Sequence, residues 1–399
     1  MQITKEYIMF IKGIENEFGI FKNNKFHYFD YAATTFMPNG VIKTWENYHN
    51  QIGVFTGKGN NHISMKAEEF LNRSEEIHRN FFDISSEYQM IYGKNTTEII
   101  NLVSKGLEEN VEPLDMIIVG PYEHHSNYLP WKYLAEKASA TFVELPINAD
   151  GDVDYEFIKR NSSRIKIISI SSVSNVFGFK IDVEKVCELA DDKTLIFVDE
   201  SQNVAHSKIY RNNKISGYFL SSHKMYGPKN IAGSYLKSSV IPLINPIILG
   251  GGMVEKVGSQ DDWENGRNKF FAGTLDIGLI GSWGESCNFI NQIGIDIIHK
   301  KEKALSEYIL NILKGNSSFN IIRDNKNCSS SIIAFTCEKY HAHDIERILA
   351  SRDIIIRSGN MCSQNSIRKI NNNAICRISL GVGISEENLE NLERTLKEI

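Results

Sequence analysis

Leu195-Ile196-Phe197-Val198-Asp199-Glu200-Ser201-Gln202 places a carboxylate directly after a short, wholly apolar run. A run of this length without polar alternation reads as a strand buried on both faces, the usual state of a parallel strand in an α/β protein. The same design repeats on either side. Met116–Val119, Thr141–Leu145, Ile165–Val173, Tyr218–Leu220 and Gly233–Leu236 are further apolar runs, and Tyr128–Ala138 and Val183–Ala190 carry apolar residues at helical spacing. Strands alternating with helices predict a mainly parallel sheet covered on both faces, with ligands at the carboxyl ends of its strands.

After about residue 280 the pattern changes. A long helical stretch, Ile290–Leu313, leads to strand-like Ser331–Thr336, a helix at Ala342–Ala350, strand-like Ile354–Arg357 and Ala374–Leu380, and a closing helix at Glu386–Ile399. This predicts a smaller α+β unit over 281–399 beside a large unit over 26–280. Residues 1–25, with a helix near Thr4–Glu17, are expected to pack on the smaller one.

The chain has 399 residues, 42% hydrophobic and 23% charged, with a net charge of −5. That is enough chain for two domains and a large core. The Lys and Arg residues are scattered, so no basic footprint for nucleic acid or an acidic membrane surface exists. No apolar run approaches the ~20 residues of a membrane span. The N-terminus, MQITKEYIMFIKGIENEFGIF, interrupts its apolar stretch with charges and lacks a signal-peptide core. Cys187, Cys287, Cys328, Cys337, Cys362 and Cys376 form no C-x-x-C pair. Free thiols in a reducing cytoplasm are the expectation, and no metal site is expected.

Four motifs carry chemistry. In Leu220-Ser221-Ser222-His223-Lys224-Met225-Tyr226-Gly227-Pro228 a lysine follows a strand and small residues, where a desolvated amine becomes nucleophilic. Taken alone, a solvated loop lysine is the commoner outcome. Asp199 either caps the following helix or pairs with a cationic ring nitrogen. Glu123-His124-His125-Ser126-Asn127 places histidines after a strand, where an imidazole can stack on a planar group and move protons. Asn95-Thr96-Thr97-Glu98 opens a helix, either as a plain capping box or as a phosphate site.

As an ordered set these motifs resemble the class V aminotransferase group of fold-type I pyridoxal-phosphate enzymes, closest to the group II cysteine desulfurases and selenocysteine lyases. The resemblance runs from Phe29-Asp30-Tyr31-Ala32-Ala33-Thr34 to Ser379-Leu380. It implies a large domain with a mainly parallel seven-stranded sheet and a smaller C-terminal domain carrying a cysteine loop. It implies pyridoxal 5'-phosphate held by Lys224, with Asp199 on the ring nitrogen, Gln202 on the ring oxygen and His124 stacked on the ring. Thr97, Ser221 and His223 would hold the phosphate, and Thr274 would reach the phosphate of the neighbouring subunit of a homodimer. Asn175, Arg377 and His62 would meet the substrate, Arg377 through its carboxylate.

Arg357-Ser358-Gly359-Asn360-Met361-Cys362 resembles the loop whose cysteine accepts sulfur. The implied activity converts L-cysteine, or L-selenocysteine, to L-alanine, with a persulfide on Cys362 that passes to an acceptor protein, as in iron–sulfur cluster assembly. A selenocysteine lyase, C–S lyase, aminotransferase or epimerase is the alternative. Several positions depart from the family pattern: Glu200-Ser201, Ser216, Phe271, Leu275, Met361 and Gly381-Val382-Gly383.

Overall fold

The computed structural model describes residues 10–55, 61–148, 152–259, 261–322 and 327–399. Its larger sheet holds seven strands: β1 (Tyr88–Gly93), β2 (Met116–Val119), β3 (Thr141–Glu144), β4 (Ile165–Ser171), β5 (Leu195–Asp199), β6 (Ile215–Ser221) and β7 (Ala232–Lys237). Their order is β1-β7-β6-β5-β4-β2-β3. The β3, β2, β4, β5 and β6 strands run parallel. Strand β7 runs antiparallel to both β6 and β1. The fold is thus α/β with a mostly parallel seven-stranded sheet. Strand β1 was not among the apolar runs, because Tyr88-Gln89-Met90-Ile91-Tyr92-Gly93 breaks its apolar pattern with polar and aromatic residues.

Burial explains the apolar runs. Both faces of the central strands are covered, so successive residues enter different cores. Ile167, Phe197 and Phe219 join Trp131 and Leu134 on one side of the sheet. Ile168, Val198, Tyr218 and Leu220 join Trp283 on the other.

A second, antiparallel sheet comprises β8 (Phe319–Ile322), β9 (Ile332–Cys337), β10 (Arg357–Gly359) and β11 (Ile375–Ser379), in the order β8-β9-β11-β10. Three sequence expectations are corrected here. The stretch Ile290–Leu313 falls in two helices, Ile277–Ile293 and Ile295–Lys314, broken at Gly294, whose φ of +90° only glycine adopts readily. The stretch Ile354–Arg357 is divided: Ile354–Ile355 pairs in parallel with His27–Tyr28, whereas Arg357 opens β10. Of the helix expected near Thr4–Glu17, residues 1–9 lie outside the described residues. The described part is a single 3-10 turn, Ile14–Glu17, followed by a short helix, Gly19–Asn23. No helix among the described residues is long and apolar enough to cross a membrane.

Packing also accounts for Gly381-Val382-Gly383. A Cβ on Gly381 would lie 2.3 Å from the Tyr31 ring, and one on Gly383 would lie 2.6 Å from its hydroxyl. The absent side chains let the turn after β11 close on Tyr31, and Val382 N then donates to Tyr226 Oη at 3.0 Å. The second sheet is thereby fastened to the turn that follows Lys224. Gly381→Ala is expected to cost about 1–3 kcal/mol through overpacking. Denaturant unfolding would record this as a lower midpoint with an unchanged slope.

Candidate active site

The carboxyl ends of β4, β5 and β6 open onto a cavity of about 330 Å³. Strand β6 ends at Ser221 and continues into a 3-10 turn, Ser222–Lys224. Glycine is required just beyond, since a Cβ on Gly227 would lie 2.1 Å from Ser222 Oγ. The turn is held by Thr35, whose N donates to His223 O at 2.8 Å and whose Oγ1 accepts from Tyr226 N at 2.6 Å. Lys224 lines the cavity. Burial pushes its pKa below the ordinary lysine value, Asp199 opposes this, Arg377 adds to it, and Cys362 opposes it. An amine so placed is a better nucleophile and base than a surface lysine.

Asp199 closes β5 and lines the cavity, and it is followed by a turn and not by the expected helix; its Oδ1 accepts from Ser201 N at 2.9 Å in that turn. Gln202 lines the cavity too and donates to Ala32 O at 2.9 Å. His124 caps the turn His125–Asn127. Its Nδ1 accepts from Ser126 N at 3.1 Å. A backbone N–H only donates, so the ring proton sits on Nε2. Burial, then Lys224, His125 and Arg377, push the His124 pKa down to about 3, which keeps the imidazole neutral.

At another side of the cavity lies the N-terminus of the helix Thr96–Gly106. Asn95 caps it, accepting from Glu98 N at 2.9 Å, while Glu98 accepts from Lys94 N at 2.6 Å. The capping reading of this motif is therefore realised, and it leaves Thr96 and Thr97 on the cavity. Thr97 Oγ1 bonds Ser126 Oγ at 2.6 Å. Ser221 and His223 line the same cavity. His223 Nδ1 meets Thr34 Oγ1 at 3.1 Å, and burial, then Lys224 and Lys229, lower its pKa to about 4.

Arg377, Asn175, Arg357 and Cys362 complete the lining. Arg377 is 2% exposed. Its Nη1 donates to Asn175 O at 2.7 Å and its Nη2 to Asp30 Oδ1 at 2.6 Å. Among the described residues, Arg377 Nε and Asn175 Oδ1 are buried without a hydrogen-bond partner. Arg357, at the start of the cysteine loop, is committed to Asp30 Oδ2, at 2.9 Å from Nε and 2.8 Å from Nη2.

Ten of the singled-out residues thus share one cavity. Thr274 and His62 do not line it; both are exposed, Thr274 in a loop and His62 at the first position of the helix His62–Phe82. Sequence reasoning missed Asp30, although two arginines expected near one site demand a buried counter-charge. It also gave no role to Glu123, and it marked Glu200 only as a departure.

Glu200, one of the departures, is fully buried and accepts from Ser172 Oγ at 2.7 Å and Asn203 Nδ2 at 2.8 Å. Burial raises its pKa from 4.5 to about 7; those hydrogen bonds oppose the rise and Asp199 adds to it. Because the folded value lies above the unfolded one, the stability contributed by the protonated form is full below about pH 4.5 and is lost as pH rises through about 7. Glu200→Gln is therefore expected to be close to neutral at pH 5 and to stabilise by ~1–3 kcal/mol at pH 8. Equal effects at the two pH values in denaturant unfolding would refute this titration.

A mostly parallel sheet presenting a cavity lysine, a strand-end carboxylate and a hydroxyl-lined helix N-terminus defines the fold-type I class. The chain belongs to the class V aminotransferase family, whose model matches residues 27–392. It is 31% identical to a probable cysteine desulfurase of Halalkalibacterium halodurans, over 93% of this chain and 92% of that protein. The apo structure of a cysteine desulfurase from Thermococcus onnurineus NA1 superposes with a TM-score of 0.91 at 25% identity, covering 98% of each chain. A cysteine desulfurase structure from Escherichia coli shares the fold, with a TM-score of 0.87 at 22% identity over 96% of this chain and 97% of that one.

Proposed function

We propose that this chain is a pyridoxal-5'-phosphate-dependent cysteine desulfurase, converting L-cysteine to L-alanine and taking the sulfur onto Cys362. One observation carries the reading: an exposed cysteine lines the same cavity as Lys224, Asp199 and His124. Those three handle an amine and a proton, and none of them can accept a sulfur atom.

The residues present fit the cofactor. Hydroxyl and imidazole groups, a carboxylate and an amine all line one cavity. The helix N-terminus at Thr96–Thr97, with Ser221 and His223, would hold the phosphate. Lys224 would hold the aldehyde carbon, Asp199 the ring nitrogen, Gln202 and Asn175 the ring oxygen, and His124 the ring face. When bound, pyridoxal phosphate supplies an electron sink for the carbanion at the substrate Cα.

Each remaining task falls to the chain itself. The Arg377 guanidinium, pre-oriented by Asp30 and Asn175 O, receives the substrate carboxylate. Lys224, with its lowered pKa, takes the Cα proton. His124, neutral with its proton on Nε2, orients the reacting groups and exchanges protons. Cys362, as thiolate, attacks the substrate sulfur. An S–S bond forms, the C–S bond breaks with its electron pair kept on the carbon side, and protons delivered to Cβ and back to Cα let the carbon fragment leave as alanine. Exposure of Cys362 then opens the persulfide to an acceptor protein, such as one feeding iron–sulfur cluster assembly. Thr274, exposed and outside its own cavity, completes the phosphate site of a second copy, which makes the working unit a homodimer. L-selenocysteine fits the same site, and the cytoplasm is the compartment that keeps Cys362 reduced.

Lys224→Ala is expected to abolish the visible cofactor band that borohydride fixes to the protein. Cys362→Ala is expected to retain that band and lose sulfide release from L-cysteine by roughly a hundredfold or more. Mass spectrometry after one turnover of the unmodified protein should find one extra sulfur atom on the Cys362 peptide. Turnover at the unmodified rate by Cys362→Ala would replace this reading with a lyase or transaminase.

A further inference from the structure

We propose that His125 is a positioning residue that latches the Cys362 loop onto the turn bearing His124, acting through the cysteine and not on the substrate. Its consequence for turnover rests on the desulfurase reading, whereas its geometry does not.

The loop between β10 and the helix Gln364–Arg368 is conformationally strained. Met361 and Cys362 are consecutive non-glycine residues in the left-handed region, at φ +49° and +55°, just after Gly359 at +103°. Such residues persist only where their surroundings over-determine them. Four hydrogen bonds do so here. Asn175 Nδ2 donates to Met361 O at 2.9 Å, and Ser363 Oγ donates to Glu123 O at 2.7 Å. The other two belong to His125. Its backbone N donates to Cys362 O at 2.7 Å, and its Nε2 accepts from Gln364 N at 3.2 Å.

One residue therefore grips the chain at the cysteine and again two residues later. The Gln364 amide opens a helix and has no partner within that helix, so the imidazole satisfies a donor that would otherwise need water. The accepting Nε2 must be unprotonated, and burial, which lowers the His125 pKa, favours that state. His125 does not line the cavity, unlike His124 beside it. The adjacent histidines divide the work: His124 faces the cavity, and His125 fixes the group that comes to meet it.

The test uses the cofactor-loaded enzyme with His125→Leu, which removes the ring acceptor, and His125→Gln, whose carboxamide oxygen reaches about as far as Nε2. In His125→Leu, amide hydrogen exchange of a peptide spanning residues 361–364 is expected to quicken roughly tenfold. Its kcat for alanine formation is expected to fall roughly tenfold or more while KM stays within about twofold, and less sulfur reaches Cys362 in a single turnover. His125→Gln is expected to restore both exchange and kcat. Unchanged exchange and kcat in His125→Leu would overturn the latch. So would a folded His125→Gln, matching the unmodified protein in thermal midpoint, that fails to restore either. If His125→Leu does not fold, His125→Ala takes its place beside His125→Gln in both measurements. A protein that places no sulfur on Cys362 even without mutation sinks the desulfurase reading, and the exchange comparison still decides the latch.

Discussion

A single buried carboxylate holds together the parts of this structure that matter for chemistry. Asp30, 3% exposed, receives Arg377 on one oxygen and Arg357 on the other. These residues come from the N-terminal segment and from β10 and β11, more than 300 positions apart. Removing Asp30 would leave the buried Arg377 without its counter-charge, at a cost of about 3–5 kcal/mol. The arrangement also settles which arginine faces what. Arg377 is buried with its Nη1 on Asn175 O and its Nη2 on Asp30, whereas Arg357 is half-exposed with its Nε and Nη2 on Asp30.

Around this cluster the protein discourages charge. His124 and His223 are pushed towards the neutral form, and Glu123 and Glu200 are pushed up to about 7, in each case chiefly by burial. A low-dielectric wall of this kind strengthens the pairing of Asp30 with Arg377 and Arg357.

The departures from the family pattern become local packing solutions. At Ser216 the Oγ accepts from Ile196 N at 3.1 Å, tying β6 to β5. Phe271 lies 5.5 Å from the Arg267 guanidinium, which is itself paired with Glu75 at 2.7 Å. Gly381 and Gly383 make room for Tyr31. None of these changes removes a group that faces the cavity.

The apolar runs, and the motifs at their carboxyl ends, already specified the sheet and most of the cavity. Burial on both faces writes itself into consecutive residues, and a ligand site at strand ends follows from parallel topology. Lys224, Asp199, His124 and Thr97 were legible for that reason. Contacts between distant segments were not, because no local pattern records them. The pairing of Asp30 with two arginines, the break at Gly294, the division of Ile354–Arg357 between two sheets and the grip of His125 on Cys362 and Gln364 were decided by tertiary packing alone. Which arginine Asp30 meets, and which backbone amide a histidine nitrogen finds, depends on where other elements come to rest. That placement is set by the sum of many weak packing terms across the whole chain.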